Sequence, residues 1–158
     1  MTTAHIALAV AALSTGLFTG LLMTLVAYFH KALRDLSGPE FALVMRRFLG
    51  VVRTHPLNYG LVGTSVVAPV VALLSLRGSD EGVAFALVFA GLVAFVAGPV
   101  LVSRFAAEPI YDVFLSWKTG SPPQNWRAAR DRYFRINQAR LLGSATAFVL
   151  FLAGLALL

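Results

Sequence analysis

The chain has 158 residues, of which 58% are hydrophobic and only 13% charged, with a formal net charge of +6. A soluble domain carries about twice that charged fraction, so the composition, with a mean hydropathy of +0.79, excludes an ordinary soluble globule and marks an integral membrane protein. The absence of cysteine excludes disulfides, thiolate metal sites, covalent haem attachment and palmitoylation.

Four stretches are apolar enough and long enough to cross a bilayer as helix, which takes about 20 residues: roughly Ile6–Phe29, Leu57–Leu76, Val83–Ser103 and Leu141–Leu158. The first has no basic residue ahead of it and outruns a signal-peptide core, so it reads as a retained span. At 100° per residue Ala12, Gly16, Gly20, Met23, Ala27 and His30 share one face of it. Small residues there allow close helix approach, either within the chain or in a homo-oligomer seam.

The segment S-G-P-E-F-A-L-V-M-R-R-F-L-G follows. Ser37 suits a helix cap and Pro39 a first turn, with Phe41, Val44, Met45 and Phe48 as an apolar stripe and Arg46, Arg47 and Arg53 opposite. A short interfacial helix fits this pattern. Spans two and three are joined by R-G-S-D-E-G, with Ser79 as a cap. Pro69, and Gly98 with Pro99, would kink or unwind their spans, as packing features or at a binding site. After span three come a short amphipathic piece (Ile110, Val113, Phe114, Trp117), a proline turn at 121–123, and a helix starting near Gln124 that runs unbroken into span four.

Charge fixes an orientation. Of the thirteen Lys and Arg residues, five (Lys31, Arg34, Arg46, Arg47, Arg53) lie between spans one and two and seven between Arg104 and Arg140; only Arg77 is near the other connection. The positive-inside rule puts both basic connections in the cytoplasm and both termini outside, as expected in a bacterial cytoplasmic membrane. This distribution explains the positive balance without any nucleic-acid partner. The expected fold is therefore all-α: one domain over residues 1–158, a membrane four-helix bundle with a short interfacial helix and a long last helix projecting into the cytoplasm.

That last helix carries a distinctive face. Trp126, Arg130, Tyr133, Asn137, Arg140 and Ser144 fall within an arc of about 80°. Arg127, Asp131, Arg135 and Gln138 lie opposite, spaced for i,i+4 ion pairs on a solvated surface. If the first face looks into the bundle, its arginines need anionic partners or a ligand, with His30, Glu108 and Asp112 as candidates. Otherwise Arg130 and Arg140 snorkel to lipid phosphates while Trp126 and Tyr133 form an aromatic belt. His5, His30 and His55 share no metal-ligand spacing, and no nucleotide-binding or nucleophile-elbow motif occurs.

The pattern resembles the anthrone oxygenase-like membrane proteins over nearly the whole chain. The likeness rests on F-H-K-A-L-R-D-L, F-A-L-V-M-R-R-F, E-P-I-Y-D-V-F-L-S-W and P-P-Q-N-W-R-A-A-R-D-R-Y-F-R-I-N-Q-A-R, and matches the family's positions at Pro109, Trp117, Trp126, Arg132, Asn137 and Arg140. Asp112 stands where the family usually has asparagine, and Tyr133 where it often has tryptophan. The resemblance implies oxidation of a planar aromatic, quinone-like substrate by O₂ without metal, flavin or other cofactor. His30 or Asp112 would be the base, with Arg140, Asn137 and Tyr133 as donors to an enolate, Trp126 as a stacking wall, and Arg130 and Ser144 completing the stripe. The competing expectation is a non-catalytic accessory subunit that docks the same polar mouth on a larger electron-transfer or photosynthetic membrane complex.

Overall fold

The computed structural model describes residues 2–118 and 120–158. The described residues form helices and no strands: α1 Thr3–Arg34, α2 Gly38–Val52, α3 Pro56–Leu76, α4 Gly82–Ser116 and α5 Trp126–Ala156. All but α2 are long and apolar enough to cross a membrane. α1 packs against α3 and α5, and α4 packs against α5 and α3.

Two of these helices differ from the sequence expectation. The third apolar helix does not stop near Ser103, and the amphipathic piece after it is no separate element; α4 runs on to Ser116. It carries two prolines by widening. A π-helical stretch at Val96–Leu101 contains Pro99, and another at Ser103–Ala107 precedes Pro109. An extra residue per turn relieves the clash between a proline ring and the carbonyl four residues back. The Ser103 hydroxyl donates to the carbonyl of Pro99, which also accepts from the Val102 N–H. Pro69, by contrast, sits inside regular α-helix in α3.

α1 has its own π turn at Leu25–Phe29, just before His30. In a uniform helix His30 would follow Met23 and Ala27, yet Met23 is 57% exposed while His30 is 3% exposed. One extra residue sets the helix back by about 100°, and this is what turns His30 inward. The face proposed from Ala12 through His30 is therefore split. Gly16 lies under Phe148 of α5, whereas Gly20 faces open space.

α2 starts as its sequence suggests. The Glu40 carboxylate accepts from the Ser37 N–H (2.8 Å) and hydroxyl (2.5 Å), a capping box, which holds the Glu40 carboxyl below its usual range, chiefly through the hydroxyl. Ser79 behaves differently: it donates back to the carbonyl of Leu76 at the end of α3 (2.8 Å), while Glu81 occupies the cap position of α4. Gly78 provides the left-handed turn between them (φ 80°).

The core has two levels. The first joins Leu8, Ala11, Phe18 and Leu22 of α1 to Ala68 and Ala72 of α3, Val88 and Phe95 of α4, and Ala147 and Phe151 of α5. Glycines permit the closest approach there: a Cβ on Gly98 would stand 2.8 Å from the Cα of Gly143. The second level is aromatic. It joins Leu33 of α1, Phe41, Met45 and Leu49 of α2, Ile110, Tyr111 and Phe114 of α4, Trp117, and Trp126, Tyr133 and Phe134 of α5. α2 thus fills this level where α3, only 21 residues long, does not reach. Arg46 caps the end of α4 by donating to the carbonyls of Leu115 (3.1 Å) and Trp117 (2.6 Å). Arg53 binds Glu108 (2.5 Å) and Asp112 (3.0 Å).

Candidate functional site

Where the two levels meet, α1, α4 and α5 bring four polar side chains together. Asn137 is completely buried. Arg140 Nη1 donates to Asn137 Oδ1 (3.0 Å) and to the Tyr111 hydroxyl (3.2 Å). Asn137 Nδ2 lies 3.3 Å from His30 Nε2. The donors fix the rest. A guanidinium has no acceptor, so the asparagine oxygen must face it and the amide must donate to the histidine. His30 Nε2 is then an acceptor, and the ring is neutral with its proton on Nδ1. The arginine, acting through one amide, holds the imidazole inside the protein with its Nε2 lone pair engaged by that amide.

Aromatic packing holds this arrangement. The His30 ring stacks on Phe134 with centroids 4.1 Å apart, and Tyr133 lies 5.6 Å away. Tyr133 in turn meets Tyr111 and Phe114 edge-on. Such pairs contribute about 0.5–1.5 kcal/mol each beyond area burial, enough to fix ring angles. Arg140 remains incomplete: its Nε is buried without a partner, and no carboxylate pairs with it among the described residues.

The residues singled out in the sequence divide as follows. His30, Tyr133, Asn137 and Arg140 come together. Ser144 lies one turn deeper, bonded to Thr19 of α1 (2.6 Å); since Thr19 donates to the carbonyl of Thr15 (2.7 Å), Ser144 is the donor. Arg130 and Trp126 sit about two and three turns from Asn137 toward the start of α5, Trp126 tilted against Phe41 at 5.4 Å. The opposite face of α5, with Arg127, Asp131, Arg135 and Gln138, is exposed, but Asp131 pairs with its neighbour Arg130 (3.1 Å) rather than along i,i+4. Asp112 and Glu108 are not partners of the α5 arginines. They flank Arg53, and the Asp112 side chain is 67% exposed.

Sequence reasoning passed over Tyr111 and Phe134. The signal for Tyr111 was available: Glu108 and Asp112, four apart, mark the polar side of α4, which turns Ile110, Tyr111 and Phe114 inward. Phe134 borders the polar stripe and reads from sequence as filler. Among the described residues no three His, Asp or Glu side chains converge as a metal-ligand set would; the cluster offers N–H donors and one imidazole lone pair. Comparison with family models, curated proteins and solved structures finds no match for this chain.

Proposed function

We propose that this is an integral membrane four-helix bundle of the anthrone oxygenase-like kind, and that its polar cluster oxidises a planar, acidic aromatic ketone with O₂. α2 lies at the cytoplasmic interface, the aromatic level and the start of α5 face the cytoplasm, and both termini are outside. The observation that carries the reading is the buried His30–Asn137–Arg140 chain, which joins a neutral imidazole base to a cationic donor that pairs with no carboxylate among the described residues.

In this reading the ketone oxygen replaces the His30 lone pair as acceptor of the Asn137 amide and approaches Arg140. His30 Nε2 then takes a proton from the ring CH₂. The resulting enolate is stabilised by charge-assisted donors in a water-poor site, where they act most strongly. The electron-rich carbon reduces O₂ to a carbon-bound hydroperoxide, and loss of water leaves the quinone carbonyl. CH₂ and O₂ give C=O and H₂O, with O₂ as the oxidant. Tyr111 and Tyr133 border the donors, and Phe134 backs the base.

The test is conversion of anthrone to anthraquinone by purified protein, followed by absorbance with O₂ uptake. His30→Ala is expected to lower turnover about a hundredfold or more, as loss of a general base does, while Arg135→Ala on the exposed face stays near wild type. Equal activity in the two variants refutes the reading. No turnover in the wild type, together with release of Asn137→Ala from a larger assembly, would support the accessory-subunit reading instead.

A further inference from the structure

Around the first turns of α5, cations outnumber the nearby acids, Asp35 beside Arg34 and Asp131 beside Arg130. The Arg130 guanidinium lies 5.3 Å from the Trp126 ring centre and 5.7 Å from that of Phe134. Arg127 shares the Trp126 ring at 5.2 Å, and Arg34, the last residue of α1, shares the Phe134 ring at 5.8 Å. Arg130 also donates to the carbonyl of Arg34 (3.3 Å), which ties the two helix ends together. Lys31 is exposed one turn earlier on α1. Among the described residues only Asp131 forms an ion pair here, and Arg130 occupies it; Arg34 and Arg127 have none. Arg53, between Glu108 and Asp112, shows that the chain pairs its arginines elsewhere.

Collecting like charges is unfavourable unless an anion completes the group. The start of α5 adds to the cost, because its first turn holds no acidic residue and no side-chain cap, leaving the positive end of the helix dipole uncompensated. The height is informative. At 1.5 Å per residue α1 and α5 run about 45–50 Å, close to the roughly 40–45 Å of a bilayer with its headgroups. The ends that carry Arg34 and Arg127 therefore come to headgroup level.

We infer that Arg34, Arg127 and Arg130 form a binding site for the phosphate of an anionic phospholipid headgroup, with Trp126 and Phe134 as its aromatic floor. The guanidiniums donate to the phosphate oxygens while their planes rest on the rings. The site does not depend on the chemistry proposed at His30.

The experiment uses the full chain in nanodiscs of mixed phosphatidylglycerol and phosphatidylcholine, with retained lipid read by native mass spectrometry. Wild type is expected to retain phosphatidylglycerol preferentially. Arg34→Gln with Arg127→Gln should weaken that retention about thirtyfold, given the contribution of each cation near an anionic surface. Arg47→Gln with Arg104→Gln removes the same charge from exposed positions on α2 and α4 and should leave it unchanged. Absence of a preference in the wild type overturns the inference, whatever the variants do. So does an equal loss in the control pair, which would mean a general charge effect. Displacement of the retained lipid by millimolar inorganic phosphate would identify a free-anion site and overturn the lipid assignment.

Discussion

Asn137 couples a cation on one side to a base on the other. Its oxygen accepts a hydrogen bond from Arg140 and its amide donates one to His30, so the orientation of one side chain fixes the histidine tautomer. Leaving either neighbour unpaired costs about 1–3 kcal/mol. Asn137→Ala is therefore expected to lower thermal stability as well as turnover, whereas Arg140→Lys should lower turnover with a smaller change in melting temperature. Lysine keeps the charge but loses the rigid guanidinium plane that aims the two N–H bonds of Nη1 at Asn137 and Tyr111. Tyr111→Phe should be milder than either, since it removes only an acceptor. These variants are ranked by melting curves beside turnover; a larger stability loss in Tyr111→Phe than in Asn137→Ala would contradict the arrangement. The stripe on α5 was legible in the sequence because an unbroken helix keeps its phase. Asp112 was misplaced among the α5 partners because its true partner, Arg53, lies 59 positions away and no local pattern joins them.

Helix crossings and caps set the next scale. A Cβ on Gly98 would meet the backbone of Gly143 at 2.8 Å, while one on Gly20 would meet nothing within 4 Å. Gly98→Ala should then cost about 1–3 kcal/mol, as overpacking does. Gly20→Ala should be neutral or stabilising by up to about 1 kcal/mol, the gain in helix propensity. Thermal melts in one detergent compare them, and equal shifts would mean the two crossings are misjudged. At the start of α2 the Glu40 carboxyl titrates below its ordinary 4.5 because of Ser37. A lowered folded pKa contributes stability that is present above the unfolded value and lost as pH falls through the folded one. Amide exchange, corrected for intrinsic rate, should show the first turn of α2 losing protection as the pH is lowered from about 6 to about 3. Glu40→Gln should show that loss already at neutral pH, with no further pH dependence.

For the whole molecule, the two levels of the core carry the topological reading. The aromatic level and the basic connections lie together at one end, and the turn at Gly78 lies at the other. With no native cysteine, single cysteines at Ser121 and Ser79, both exposed, report sidedness cleanly. They are expected to react with an impermeant maleimide from opposite faces of the membrane, with Ser121 on the cytoplasmic face; labelling from one face would refute the orientation.

The sequence by itself determined that the chain is helical and apolar enough to cross a membrane four times, because hydropathy and length act locally and need no partner. It also determined the stripe of α5, though not that it faces inward, and the start of α2 at Ser37, which depend on local spacing alone. Only the tertiary structure decided which way His30 points, since the π turn before it shifts the helix phase without a proline or glycine to announce it. It likewise decided that α4 continues through Pro99 and Pro109, because neighbouring helices support a widened helix that an isolated one would abandon. The pairing of Arg140 with Tyr111 and of Arg53 with Asp112 was settled in the same way. Each joins residues on different helices, and only the packing of those helices brings them within reach.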